Sequence, residues 1–292
     1  MRIEAKNLNY TYSPKAKDFS VRALKNVNLT IEEGDFFAIV GHTGSGKSTF
    51  VQHINGLIKV QKGSGELTVG EFDLTDKKCD FKSLRAKTGM VFQYPEYQLF
   101  AETVRDDVAF GLKNFFPNLS EKEREEKVKK AIELVGLDYK RIKDRSPFEF
   151  SGGQKRRIAI AGVLVSEPEV LILDEPAAGL DPQGKKDFLS LLKKVHGSFV
   201  KTIVIVSHDM NLVSEYCNRA AVFSNGGIYK VGSPKEIFSD AAAVEGLGLE
   251  LPVTAYLENE LKKAGVEISS DLTEEDFINN AAKVLIKKGD NA

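Results

Sequence analysis

The sequence predicts an α/β fold. A buried parallel sheet is wound with helices, preceded by an antiparallel β subdomain and accompanied by an α-helical subdomain and a small helical C-terminal extension. Three observations carry this reading. The apolar runs Phe36–Val40, Val170–Leu173 and Ile203–Val206 are short and continuous, as in strands buried on both faces. Helical periodicity dominates from about residue 95 to 165, and from 170 onward apolar runs alternate with helices. The stretch Gly41-His42-Thr43-Gly44-Ser45-Gly46-Lys47-Ser48-Thr49 fits G-x-x-x-x-G-K-[ST] in full. It lies between the first run and a helix start at Phe50-Val51-Gln52-His53-Ile54.

Residues 1 to about 40 open on antiparallel strand patterning. Leu8, Tyr10 and Tyr12 alternate with polar residues, then Val27, Leu29 and Ile31 do, and Glu33-Gly34 marks a turn. In the glycine-rich loop, the glycines let backbone N–H groups turn inward around phosphate oxygens. The following helix adds its positive dipole end. Lys47 can reach the β- and γ-phosphates of a nucleotide, and Ser48 can offer its hydroxyl to Mg²⁺. In the helical stretch, Val104 and Val108 share a face with Leu112 nearby. Ser120-Glu121-Lys122-Glu123 is a capping box opening a charge-rich helix that ends at Gly136. Ser151-Gly152-Gly153-Gln154 opens a helix expected over Lys155–Val165, and its free N–H groups make an anion site. Ser224-Asn225-Gly226-Gly227 is a hairpin signal between Ala220–Phe223 and Ile228–Val231. Ser233-Pro234-Lys235-Glu236 caps a further helix. The main domain is expected over 1–240, with the helical subdomain at about 95–165, and the extension over 241–292. Within the extension Leu247–Pro252 is linker-like, and Val253–Ala264 and Glu274–Lys288 are helical. Phe277, Ile278, Ala281, Val284 and Leu285 form an apolar stripe there, suited equally to docking on the main domain or to a partner subunit.

Composition excludes several classes. The chain has 292 residues, 42% hydrophobic and 28% charged, with a net charge of −1. These are ordinary globular values, without the basic excess that drives nucleic-acid binding. No apolar run approaches the roughly 18–20 residues that span a bilayer, and no apolar leader follows Met1. Action at a membrane would run through partners. Cys79 and Cys217 are far apart and read as reduced packing residues. His42, His53 and His196 have no metal-ligand spacing.

Four further segments follow the glycine-rich loop in order. They are Val91-Phe92-Gln93-Tyr94-Pro95, then Ser151-Gly152-Gly153-Gln154-Lys155-Arg156-Arg157. Next is Leu171-Ile172-Leu173-Asp174-Glu175-Pro176 running into Ala178-Gly179-Leu180-Asp181-Pro182, and last Val204-Ile205-Val206-Ser207-His208-Asp209. Asp174 ends an apolar strand, so its carboxylate emerges at the sheet's C-terminal edge and suits Mg²⁺. His208 also ends a strand, within reach of a γ-phosphate.

Over roughly residues 1–240 this ordered set resembles the ABC-type ATPases, whose core is a RecA-like P-loop NTPase fold. The resemblance implies ATP and Mg²⁺ as ligands. It implies that Glu175 polarises the attacking water, with His208 and Lys47 as the other catalytic groups. It gives Ser48, Gln93 and Asp174 to the metal, and Tyr12, with Tyr10 as the competing choice, to stacking on adenine. Ser151, Gly152, Gly153 and Gln154 would contact the ATP held by a second protomer, in two head-to-tail composite sites closed by ATP, and Asp181 is counted among the nucleotide-binding residues. Two positions depart from the pattern: Phe150 stands where Leu is usual and Ala177 where Thr is common.

The segment from Val91 through Pro95-Glu96-Tyr97-Gln98-Leu99-Phe100 to Glu102-Thr103-Val104 looks like the ATPases of energy-coupling factor (ECF) transporters. So does Ser151–Ile160 followed by Ala161-Gly162-Val163-Leu164. Gln98-Leu99-Phe100 resembles their second, A-prime type. That resemblance implies a second homologous ATPase as partner, a transmembrane T-component and exchangeable S-components that capture vitamins or metal ions. It implies a peripheral position on the cytoplasmic face of the membrane, with the stretch beyond Gln93 meeting the T-component. The competing readings are a homodimeric ATPase of a cobalt, nickel or other importer, and a soluble ABC protein of translation or repair. A single P-loop and no sustained heptads argue against the last.

Overall fold

The computed structural model describes residues 1–13 and 20–289, with side chains described up to residue 284. Strands β1 (Ile3–Tyr12) and β2 (Val21–Ile31) pair antiparallel. After the Glu33-Gly34 turn, β3 (Phe36–Val40) enters a second sheet and leads to helix α1 (Lys47–Ile54). β4 (Glu66–Val69) and β5 (Phe72–Asp73) complete the first sheet in the order β2-β1-β4-β5. Helix α2 (Phe81–Lys87) runs into β6 (Thr88–Val91). The helical layer follows as α3 (Val104–Phe115), α4 (Glu121–Leu134), α5 (Tyr139–Ile142) and α6 (Gly152–Leu164). The chain then alternates β7 (Val170–Asp174), α7 (Pro182–Val195), β8 (Thr202–Val206), α8 (Met210–Tyr216), β9 (Arg219–Ser224) and β10 (Gly227–Gly232). It ends on α9 (Pro234–Phe238), α10 (Ala241–Gly246), α11 (Val253–Lys263) and α12 (Glu274–Gly289).

The second sheet has the order β10-β9-β3-β8-β7-β6. All its neighbours run parallel except the β9–β10 hairpin. Each central strand divides its side chains between two cores. Phe36, Ala38 and Val40 of β3 join the helical-layer core, while Phe37 and Ile39 face the core shared with the antiparallel sheet. Strands β7 and β8 alternate in the same way. A strand covered on both sides must be apolar at every position, which is why these runs are continuous. Each such side chain stabilises the fold by about 1.5–3 kcal/mol through burial.

The first sheet departs from simple alternation. Ile3 and Ala5 are buried, the pairing register shifts before Leu8, and Asn7 takes a left-handed φ of 50°. Further shifts follow at Tyr10, so Leu8 is fully buried, Tyr10 half-buried and Tyr12 exposed. Two helix ends also differ from the sequence reading. Helix α6 begins at Gly152, three residues before the expected Lys155, because Ser151 itself is the cap. Helix α4 is capped at Val135, and Gly136, with φ of 77°, is the left-handed residue beyond it.

The extension docks on the main core. Leu249, Ala255 and Leu272 belong to the same buried cluster as β3 and β8, so the linker-like stretch is itself anchored. The Asn211 side chain accepts from the Val253 N–H at 2.8 Å, and Glu215 accepts from the Glu274 N–H at 3.1 Å, so α8 caps α11 and α12. Phe277, Ala281 and Val284 are partly buried, while Ile278, Val253 and Tyr256 stay exposed. The Leu285 side chain lies outside the described residues. Among the described residues, no helix is long and apolar enough to cross a membrane.

Candidate active site

Parallel strands deliver their C-terminal ends to one edge, and that edge carries the polar groups. The glycine-rich loop leaves β3, and His208 follows β8. Asp174 ends β7, Glu175 is next to it, and Gln93 follows β6. The β6–β7 register pairs Val91 with Leu173, so two residues on from each, Gln93 and Glu175 leave the edge together. Gln93 is exposed and turns into Tyr94, which has a left-handed φ of 54°.

The loop conformation explains its glycines. Gly46 has φ of 105°, and a Cβ there would sit 2.5 Å from the Ala23 carbonyl oxygen. A Cβ on Gly41 would meet the Phe223 carbonyl oxygen at 2.3 Å. Thr43 and Gly44 are exposed, and the His42 ring donates through Nδ1 to the Thr43 carbonyl at 2.8 Å. Ser45 is fully buried and its hydroxyl has no partner among the described residues. Lys47 is nearly buried, with Nζ donating to the carbonyls of Gly41 at 2.7 Å and His42 at 3.0 Å. Burial pushes its pKa down, opposed by the carboxylates of Glu175 and Asp174.

Ser48 donates to Asp174 Oδ1 at 3.2 Å. Burial pushes the Asp174 carboxyl up, and the Ser48 hydrogen bond partly offsets this. The Ser48 and Asp174 oxygens, 3.2 Å apart, are hard donors of the kind Mg²⁺ takes, so the residues present fit that ion. Glu175 has a left-handed φ of 50°, and its N–H is tied to the Val206 carbonyl at 3.1 Å. This turn brings its Oε1 to 2.8 Å from His208 Nε2. Tyr12 hydrogen-bonds the Thr49 hydroxyl at 3.2 Å and keeps an exposed ring. Tyr10 packs edge-on between Tyr12 and the buried His53, so Tyr12 is the ring with a free face.

Ser151 to Gln154 are all exposed at the start of α6. Ser151 Oγ accepts from the Gln154 N–H at 3.4 Å, and the Gln154 side chain accepts from the Ser151 N–H at 3.2 Å. A Cβ on Gly152 or Gly153 would meet nothing within 4 Å, so this chain's own packing does not require glycine at either position. Ser151, Gly153 and Gln154 border a groove of about 620 Å³ between α6 and α7 that also includes Asp181. A second cavity of about 640 Å³, sharing Leu180 with the first, is lined by Glu175 and His208. Among the described residues, no hydrogen bond joins Ser151–Gln154 to Lys47, Asp174, Glu175 or His208. Asp181 caps α7, its Oδ1 accepting from the Gly184 N–H at 2.7 Å. Phe150 is buried with the Arg145 guanidinium 4.6 Å over its ring, so the larger side chain is accommodated. Sequence reasoning missed the Glu96–Arg156 pair, whose arginine is hidden within the basic run Lys155-Arg156-Arg157.

A glycine-rich loop on a helix N-terminus, an acid pair at the end of β7, one strand beyond β8 in the same sheet, and an exposed glycine helix start define a nucleotide-binding cassette. The family described as ABC transporter matches residues 24–178. The Clostridium tetani protein named energy-coupling factor transporter ATP-binding protein EcfA2 is 46% identical, covering 98% of this chain and 97% of that one. Its namesake in Clostridioides difficile is 44% identical over 99% of both. Among solved structures, cbiO1 of Clostridium perfringens, part of the ABC transporter complex cbiONQ, matches with TM-score 0.71 and 38% identity, over 88% of this chain and 98% of that one. The ATP-binding cassette MJ0796, a dimer in a post-hydrolysis state bound to ADP and Pi, matches with TM-score 0.70 and 31% identity, over 80% and 98%. The chain belongs to the ABC transporter family, among the ATP-binding proteins of energy-coupling factor transporters.

Proposed function

We propose that this chain is the ATP-hydrolysing subunit of an energy-coupling factor importer for a vitamin or other micronutrient, working on the cytoplasmic face of the membrane. The single observation that carries the mechanism is that Ser151–Gln154 are exposed at the start of α6 and, among the described residues, make no hydrogen bond to Lys47, Asp174, Glu175 or His208. Each half offers ligands for phosphate, and neither is complete within one chain. Gly152 and Gly153 meet nothing in their own chain, so their lack of side chains suits close approach by an ATP seated on a second, homologous ATPase.

The residues act as follows. The loop N–H groups of Gly41 to Thr49 cradle the phosphates, and Lys47 turns from its own carbonyls to the β- and γ-oxygens. Tyr12 stacks on the adenine. Ser48, Asp174 and Gln93 would hold Mg²⁺, which would supply neutralisation of phosphate charge. Glu175 orients and polarises the attacking water, and His208 positions Glu175 and the γ-phosphate. Ser151, Gly152, Gly153 and Gln154 neutralise the γ-phosphate of the opposite site. Asp181, as the cap of α7, shapes the neighbouring loop at that junction. ATP thus favours the closed pair of chains, and hydrolysis removes that differential stabilisation.

The surface beyond Gln93 suits a membrane partner. Tyr97, Phe100 and Phe110 are exposed, the last two in edge-to-face contact at 4.9 Å. Such a patch favours the coupling segments of a T-component, which in turn serves substrate-capturing S-components. The test is ATP hydrolysis by the chain purified with its membrane partners, with Mg²⁺ or with a chelator. The expected result is Mg²⁺-dependent turnover that rises in the presence of the second ATPase. Turnover equal in chelator, or by this chain alone at the full rate, would count against it.

A further inference from the structure

Arg156 lies five residues into the signature helix, with side-chain exposure of 6%, yet the reaction as described gives it no task. Its guanidinium joins three segments. Nε and Nη2 donate to Glu96 Oε2 and Oε1 at 3.0 and 3.4 Å. Nη1 donates to the Ala178 carbonyl at 2.9 Å. The Tyr94 ring lies beneath it, 5.9 Å from Cζ. Glu96 belongs to the short 3-10 turn Pro95–Gln98, which carries exposed Tyr97 and leads to Phe100. Ala178 lies between Glu175 and Asp181, two positions assigned to the site. Gly179 of the same loop faces the Tyr94 ring closely enough that a Cβ there would lie 3.4 Å from it. A buried, forked arginine holds its partners in one geometry, which a lysine cannot reproduce.

We propose that Arg156 is a positioning residue that binds the aromatic docking segment, the signature helix and the Glu175–Asp181 loop into one mechanical unit. A push on Tyr97 and Phe100 then reaches the loop carrying Glu175 directly through the protein, without passing through the nucleotide. This rests on the roles given above to Glu175 and to the aromatic surface. The physical warrant is a single charged group hydrogen-bonded to both segments, so that moving either one independently breaks its bonds to Arg156.

The experiment uses the full chain, purified with its membrane partners, as wild type, Arg156→Lys and Glu96→Gln. Hydrogen exchange and ATP kinetics are read on each. Arg156→Lys should raise exchange in both Tyr94–Phe100 and Ala177–Asp181, leaving Gly41–Thr49 unchanged. Glu96→Gln keeps the tie to Ala178, so it should raise exchange in Tyr94–Phe100 alone. Both should lower kcat roughly tenfold through misplacement while KM for ATP stays within about twofold. Exchange in Ala177–Asp181 that ignores Arg156→Lys, or a kcat left at the wild-type value, overturns the proposal. If Arg156→Lys fails to fold, Glu96→Gln decides the matter by its kcat and by the segment it loosens. A wild type without ATP turnover would remove the functional reading, and the exchange pattern would still decide the mechanical tie.

Discussion

Lys47 shows how the site is poised at the level of single residues. Its ammonium is buried against two carbonyls of its own loop and faces Asp174 and Glu175, so its hydrogen bonds can be transferred to phosphate oxygens without moving the backbone. Lys47→Ala is expected to weaken nucleotide affinity by about tenfold or more, as loss of a hydrogen bond to a charged group implies; titration with a fluorescent ATP analogue measures it. Glu175→Gln keeps the shape and the His208 contact but lacks the charge that polarises water. It should bind ATP normally and lose turnover by at least about a hundredfold. Wild-type hydrolysis in that variant would remove Glu175 from its role. His53 sets a pH effect on stability. It is fully buried, its Nδ1 donates to the Thr49 carbonyl at 2.7 Å, and burial holds its pKa below the usual histidine value. As pH falls below about 6.5 the unfolded chain takes up a proton that the folded chain resists, so stability drops, by at most about 1.4 kcal/mol per pH unit from this group. Thermal midpoints at pH 7.5 and 5.5 should therefore differ more in wild type than in His53→Gln.

Elements differ in what their glycines are for, and substitution should separate the two uses. Gly46→Ala forces a left-handed residue against the Ala23 carbonyl, and a destabilisation of about 2 kcal/mol or more is expected in denaturant unfolding. Gly153→Ala adds a methyl into open space at a helix start, so stability should stay level while ATP turnover falls. Equal turnover in that variant would count against a second chain closing on this helix. Ser151→Ala removes the cap and should cost about 1 kcal/mol. The strands and caps were legible in the sequence because each has a local cause. Double-sided burial makes β3, β7 and β8 continuous in apolar residues. Ser120 makes the capping box that its spacing announced, and Ser151 and Ser233, read only as helix openers, make capping boxes as well. What was not legible depends on distant partners. The bulge at Asn7 that shifts β1 out of phase, the capping of α11 and α12 by Asn211 and Glu215, and the Glu96–Arg156 pair join residues with no sequence pattern linking them.

For the whole molecule, the edge of the parallel sheet is the organising feature. It gathers Gly41 to Thr49, Gln93, Asp174, Glu175 and His208 from four strands and leaves Ser151 to Gln154 facing outward elsewhere. On the function proposed above, such a molecule supplies half of each of two composite sites, and its exposed aromatic surface meets the membrane partner. Tyr97→Ala with Phe100→Ala should leave the fold intact, since both rings are exposed, and should lose the membrane partner in co-purification. On the proposed function, this ATPase works in an assembly with a second one on a shared membrane engine. A mild-detergent pull-down of the tagged chain from native membranes, followed by mass spectrometry, tests it most directly. The account predicts a second, distinct ABC ATPase, one polytopic T-type protein and several small membrane proteins. Recovery of this ATPase alone, or with one dedicated permease, would contradict it.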